Sequence, residues 1–100
     1  MERPIRTYLG GDALLTALGY GTEANYRAIE AGCCGLRPDA VSSGLAAAGR
    51  IDPALMRSLA IEGYTLLESA MIRCAEAAAA ETGTELAAEE CALIVSTTKG

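Results

Sequence analysis

The chain reads as an α/β protein, and three stretches of its sequence predict that class. Residues 91–95, Cys91-Ala92-Leu93-Ile94-Val95, form an unbroken apolar run that passes into small hydroxyl residues and a glycine. Such a run does not alternate toward water, the pattern of a parallel strand covered on both faces. Residues 52–82 carry an apolar stripe at helical spacing, and residues 5–16 open the chain with a strand-like pattern. The expected order is strand, helix, loop, helix, strand, with helices packed on a mostly parallel sheet. A single segment, residues 1–100, holds all of it.

Taken in order, Ile5, Tyr8, Leu9, Leu14 and Leu15 predict the first strand, kinked at Gly10-Gly11-Asp12. Thr22 is the expected N-cap of a helix over residues 22–31, with Glu23 in the first turn, where the helix dipole favours negative charge. Tyr26 and Ile29 share one face, and Gly32 supplies the stop. Residues 33–51 are expected to be mostly loop, because Gly35, Pro38, Gly44 and Gly49 break every period, with a short strand near 44–48. Asp52-Pro53 starts the next helix: the aspartate accepts first-turn amide hydrogens, and proline has no amide hydrogen to lose there. From Leu55 through Leu59, Leu66, Ala70 and Cys74 to Ala77 the stripe recurs at three, four or seven residues, with Gly63 bending or dividing it and Gly83 ending it.

With 51% hydrophobic and 21% charged residues the chain is too apolar for disorder, while its apolar residues are too scattered for a membrane span. A net charge of -5, with seven arginines in no run or stripe, argues against a nucleic-acid surface. Four cysteines without a secretory signal are expected to be free thiols in a cytoplasmic protein. The absence of histidine excludes, within these residues, a histidine general base, His-dependent zinc sites and a Cys-His pair.

Several residues invite a chemical reading. The vicinal pair Cys33-Cys34 has the look of a redox switch or half a metal site, but Cys-x-x-Cys spacing is missing, and small apolar packing residues are the commoner outcome for free cysteine. Ser96, Thr97, Thr98, Lys99 and Gly100 contain phosphate-binding residue types in the reverse of the P-loop order. Because ligands in open α/β sheets sit beyond the carboxyl ends of strands, this loop is the expected site-adjacent segment. Asp12 reads as a turn-capping or solvated carboxylate, and Tyr8, Tyr20, Tyr26 and Tyr64 as packing residues.

Two passages resemble the opening of a β-ketoacyl synthase. The first is Gly11-Asp12-Ala13-Leu14-Leu15-Thr16-Ala17-Leu18-Gly19, followed by Thr22-Glu23-Ala24-Asn25 and Ile29-Glu30-Ala31-Gly32-Cys33-Cys34-Gly35-Leu36. It is similar to a strand and "T-x-L-G" turn before a short helix ending in "A-G-x-x-G-[IL]-R". The second, Leu93-Ile94-Val95-Ser96-Thr97-Thr98-Lys99-Gly100, resembles the strand that members run into a small glycine-containing loop.

The resemblance implies the start of the N-terminal half of a thiolase-like fold, in an enzyme that is homodimeric at full length. It further implies acyl transfer to a cysteine and condensation with a malonyl thioester on acyl carrier protein, assisted by two histidines. Cys33, Cys34, Cys74 and Cys91 match none of the nucleophile motif, so no catalytic residue is carried over, and no cofactor or metal is implied. The expectation is therefore a scaffold fragment of a longer, divergent synthase, with acyl carrier protein and an acyl thioester as its partners. The alternative is a stand-alone α/β oligomerisation module without catalytic activity, its apolar strand pairing with another chain.

Overall fold

The computed structural model describes residues 3–38 and 47–97. Its elements are β1 (Leu15–Thr16), β2 (Gly19–Tyr20), α1 (Thr22–Glu30), β3 (Arg37–Pro38), β4 (Ala47–Ala48), α2 (Pro53–Ser58) and α3 (Leu66–Thr82). The class is a small mixed α/β protein with three helices and two small sheets among the described residues.

Each sheet is a two-residue antiparallel pair. Leu15 faces Tyr20 and Thr16 faces Gly19 in the first, and Arg37 faces Ala48 and Pro38 faces Ala47 in the second. The expected long strand over residues 5–16 is thus confined to its last two residues, and Ile5 and Leu9 are fully exposed. The apolar run of residues 91–95 likewise belongs to neither sheet, with Leu93 81%, Ile94 90% and Val95 54% exposed. One physical reason covers both corrections. A strand exists through a ladder of hydrogen bonds to a neighbouring strand, and among the described residues none pairs with 91–95 or, outside Leu15–Thr16, with 5–16. The short strand expected near residues 44–48 is found at its end, as β4, while 44–46 lie outside the described residues.

The helices follow local chemistry closely. Gly21, not Thr22, is the N-cap of α1, with Thr22 its first helical residue, and the chain turns out of the helix at Gly32, φ +79°. Asp52 caps α2 as expected, its carboxylate accepting from the Ala54 N–H at 2.9 Å, with Pro53 in first position. Gly63 divides the long apolar stripe, and a capping box restarts it. The Thr65 hydroxyl accepts from the Glu68 N–H at 3.1 Å while the Glu68 carboxylate accepts from the Thr65 N–H at 2.9 Å.

α3 is the hub. Tyr20 donates its hydroxyl to the Arg73 carbonyl at 3.1 Å, tying the first hairpin to it. The Arg73 Nε donates to the Leu59 carbonyl at the end of α2, and the Ile61 N–H donates to the buried Ser69 hydroxyl at 2.9 Å. At the other end Gly11 lies flat on the helix: a Cβ there would stand 1.9 Å from the Ala78 carbonyl oxygen.

The apolar core is small. Among the described residues Leu59 and Ala70 are the buried hydrophobic ones, beside the buried polar Asn25 and Ser69. The accessible surface is 8489 Å², where a compact monomer of 10.3 kDa would show about 5,400 Å². The radius of gyration, 16.9 Å, likewise exceeds the roughly 13 Å of a compact hundred-residue domain.

Candidate functional site

The most tightly organised place in the chain is the unit running from β1 through α1 to Gly35, and Asn25 holds it together. Its side chain is 1% exposed. The Nδ2 group donates to the carbonyls of Gly21 at 2.8 Å, Gly19 at 3.0 Å and Leu14 at 3.4 Å, while Oδ1 accepts from the Thr16 hydroxyl. The same hydroxyl accepts from the Leu18 N–H at 3.0 Å, closing the two-residue turn, and the Gly21 N–H donates to the Leu14 carbonyl at 2.8 Å. One amide side chain thereby satisfies the inward-facing backbone groups of a hairpin too short to satisfy itself.

Beneath this knot lies an open cavity of about 500 Å³, bounded by Leu14, Thr16, Asn25, Ile29, Leu36 and Ile51. Its walls are mainly aliphatic, and its polar members, Thr16 and Asn25, already spend their hydrogen bonds on the hairpin. Such a hollow holds apolar groups. It contains no acid, base or nucleophile.

On the other side of residues 17 and 18 a second concavity, of about 480 Å³, is lined by Cys33, Cys34, Arg37 and Arg50. Both thiols are exposed, whereas Cys74 and Cys91, expected on buried surfaces, are half-buried. Burial pushes the Cys74 thiol above its ordinary value, since a thiolate there would lose hydration.

A third groove, of about 250 Å³, runs between the capping box and the apolar run, with Tyr64, Met71, Ile72, Leu93 and Val95 on its walls and Glu68 at its edge. Leu93 and Val95 line it while Ile94 does not, the alternation of an extended segment. Hydrogen bonding from the Thr65 backbone N–H, then from its hydroxyl, holds the Glu68 carboxyl below the ordinary carboxylate range, against a small opposing effect of burial.

Of the expected site-adjacent loop, Ser96 and Thr97 are exposed at the mouth of the apolar run. Thr98, Lys99 and Gly100 lie outside the described residues. Asp12 is exposed beside Gly11, as a solvated carboxylate would be. Of the tyrosines, Tyr20 packs and bonds to α3, whereas Tyr8, Tyr26 and Tyr64 are more than half exposed. The apolar face of α1 expected from Tyr26 and Ile29 is turned outward, and Asn25 is the residue buried. No cluster of three or more metal-ligating side chains occurs among the described residues, and none of their helices is long and apolar enough to cross a membrane.

Asn25 and Ser69 are the two residues that the sequence pattern hides. Each had a signal in retrospect: asparagine is a weak helix former placed four residues after the Gly21 carbonyl it binds, and Ser69 interrupts the apolar stripe between Leu66 and Ala70. No protein-family model, curated protein or solved structure matches the chain.

Proposed function

We propose that the chain is an N-terminal scaffold segment of a β-ketoacyl-acyl carrier protein synthase, beginning a thiolase-like fold in a cytoplasmic, homodimeric condensing enzyme. The observation that carries this reading is the unit from Thr16 to Gly35. Thr16-Ala17-Leu18-Gly19, the motif that resembles the family's turn, forms the two-residue hairpin turn, and Ala31-Gly32 ends the short helix that follows. Residues singled out by motif coincide with one hydrogen-bonded structural unit.

A scaffold role is supported by the surface. Leu93, Ile94 and Val95 lie uncovered beside α3, and the total surface exceeds that of a compact monomer by about 3,000 Å², within the range buried at obligate interfaces. In the proposed enzyme, neighbouring strands cover this run, and Ser96, Thr97, Thr98, Lys99 and Gly100 lead toward the acyl pocket. The segment supplies no nucleophile. Acyl transfer and decarboxylative condensation with malonyl-acyl carrier protein fall to residues elsewhere in the enzyme.

The test is to sequence the transcript through the Gly100 codon and assay the protein that it encodes. The proposal expects a downstream cysteine at a strand-to-helix turn, two later histidines, and condensation of an acyl thioester with malonyl-acyl carrier protein. A transcript ending at Gly100, with the purified chain forming a discrete folded dimer, replaces this reading with that of an oligomerisation module.

A further inference from the structure

We propose that Cys33 and Cys34 form an S-thiolation site for an anionic low-molecular-weight disulfide, of which glutathione disulfide is the type. The inference is independent of the condensing-enzyme reading. It rests on four side chains that three separate parts of the chain bring to one concavity: the two thiols, Arg37 and Arg50.

The backbone under the thiols is held at both ends. On the helix side the Cys33 N–H donates to the Ala28 carbonyl at 2.9 Å and the Gly32 N–H to the Ile29 carbonyl at 3.0 Å. On the other side Gly35 is pressed against Ala17, whose Cβ would stand 2.9 Å from a Cβ at Gly35. The β3–β4 pairing then fixes the guanidinium-bearing residues. Arg37 faces Ala48, so the same register carried two residues further sets Arg50 opposite Gly35, beside Cys34. Two exposed thiols thus share a hollow of about 480 Å³ with two positive charges, in a chain whose net charge is -5. That volume is within the range of small-molecule sites, roughly 300 to 1,000 Å³.

The reaction is a thiol–disulfide exchange. A thiolate Sγ of Cys33 or Cys34 attacks one sulfur of the incoming disulfide, a new Sγ–S bond forms as the old S–S bond breaks, and the second half leaves as a thiolate that takes a proton from water. The arginines attract the carboxylates of the reagent and so raise its concentration beside the thiols. Ring closure between the two cysteines does not compete. Consecutive Cα atoms stand about 3.8 Å apart across a trans peptide, inside the roughly 4.4 Å lower bound of ordinary disulfides, so the closed ring is strained and readily reduced. The mixed disulfide is the product, one adduct per chain.

The experiment treats the chain with glutathione disulfide and, separately, with the neutral hydroxyethyl disulfide, and follows adducts by intact mass and peptide mapping. Glutathione is expected on the Cys33–Cys34 peptide, with Cys74 and Cys91 reacting several-fold more slowly. The double variant Arg37→Gln/Arg50→Gln is expected to react about fourfold to fifteenfold more slowly with glutathione disulfide, the size of one or two unit-charge attractions near 5 Å in water. Its rate with hydroxyethyl disulfide should be unchanged, which also reports that the thiols keep their exposure. Added salt should remove the difference between the two proteins. Equal labelling of all four cysteines, an equal slowing with both reagents, a double variant that reacts like the parent, or a closed ring in place of the adduct would each overturn the proposal.

Discussion

The hairpin-helix unit from Leu14 to Gly35 and the apolar run from Cys91 to Thr97 are both short, nearly strandless segments, yet the chain treats them in opposite ways. The first is closed by polar bonds between residues no more than 11 apart, nearly all of them meeting at Asn25. The second is the more hydrophobic and lies along α3 with Leu93, Ile94 and Val95 more than half exposed. Apolar content alone therefore does not order a segment. A side chain that satisfies backbone groups locally orders it at little cost in loop closure, whereas a buried strand waits for partners distant in sequence or in another chain.

The sharpest way to break this comparison is Asn25→Ala. It removes one donor from the Leu14, Gly19 and Gly21 carbonyls and the acceptor of the Thr16 hydroxyl, while the Gly21 N–H still serves Leu14, the Asn25 N–H still serves Gly21 and the Leu18 N–H still reaches Thr16. With about 1 to 3 kcal/mol lost for a polar group left unsatisfied out of water, a loss of about 1 to 3 kcal/mol is expected, a large fraction of a small domain's stability. Urea unfolding followed by circular dichroism measures it, and a loss under about 0.5 kcal/mol would remove Asn25 from the centre of the account.

A smaller effect is expected at the start of α3. Thr65→Ala removes one side of the capping box and should cost about 1 kcal/mol. Acid should act on the same place. The Glu68 carboxyl is held below its ordinary value of 4.5 in the folded state, so the unfolded chain takes up the proton first as the pH falls. The contribution is fully present at neutral pH and declines below about 4.5, disappearing as the pH passes the folded value. Helicity monitored against pH should show this decline in the parent and a flatter profile in Glu68→Gln.

The smallest effect on stability belongs to the open region. Ile94→Ser changes a residue already 90% exposed and should leave the unfolding midpoint of the monomer in place while reducing self-association, read by sedimentation velocity. A clear loss of stability would mean that Ile94 is covered in solution.

What could be read from the residues, and what could not, divides along the same line. The start at Asp52-Pro53, the stops at Gly32 and Gly83 and the division at Gly63 depend on backbone preferences of single residues, and each stands in the structure as the sequence implies. The strands expected over residues 5–16 and 91–95 form only at Leu15–Thr16, because pairing is a property of neighbours that a local pattern does not contain. The role of Asn25 is hidden from the local pattern for a related reason: it depends on three carbonyls made convergent by a turn. The Cys33–Cys34 concavity needed the β3–β4 register before Arg50 stood beside the thiols.

The central claim, that the apolar run and the exposed α3 residues Leu66, Leu67 and Met71 find no cover among the described residues, is tested most directly by calorimetry of the purified chain at a concentration where it sediments as a monomer. Each large aliphatic side chain left in water forgoes roughly 1.5 to 3 kcal/mol of burial, so three of them forfeit an amount comparable with the whole stability of a small domain. The account predicts a broad transition of low enthalpy. A sharp, two-state transition above about 60 °C from a monodisperse monomer, high in the mesophile range, would show a chain that covers its own apolar surface and would contradict it.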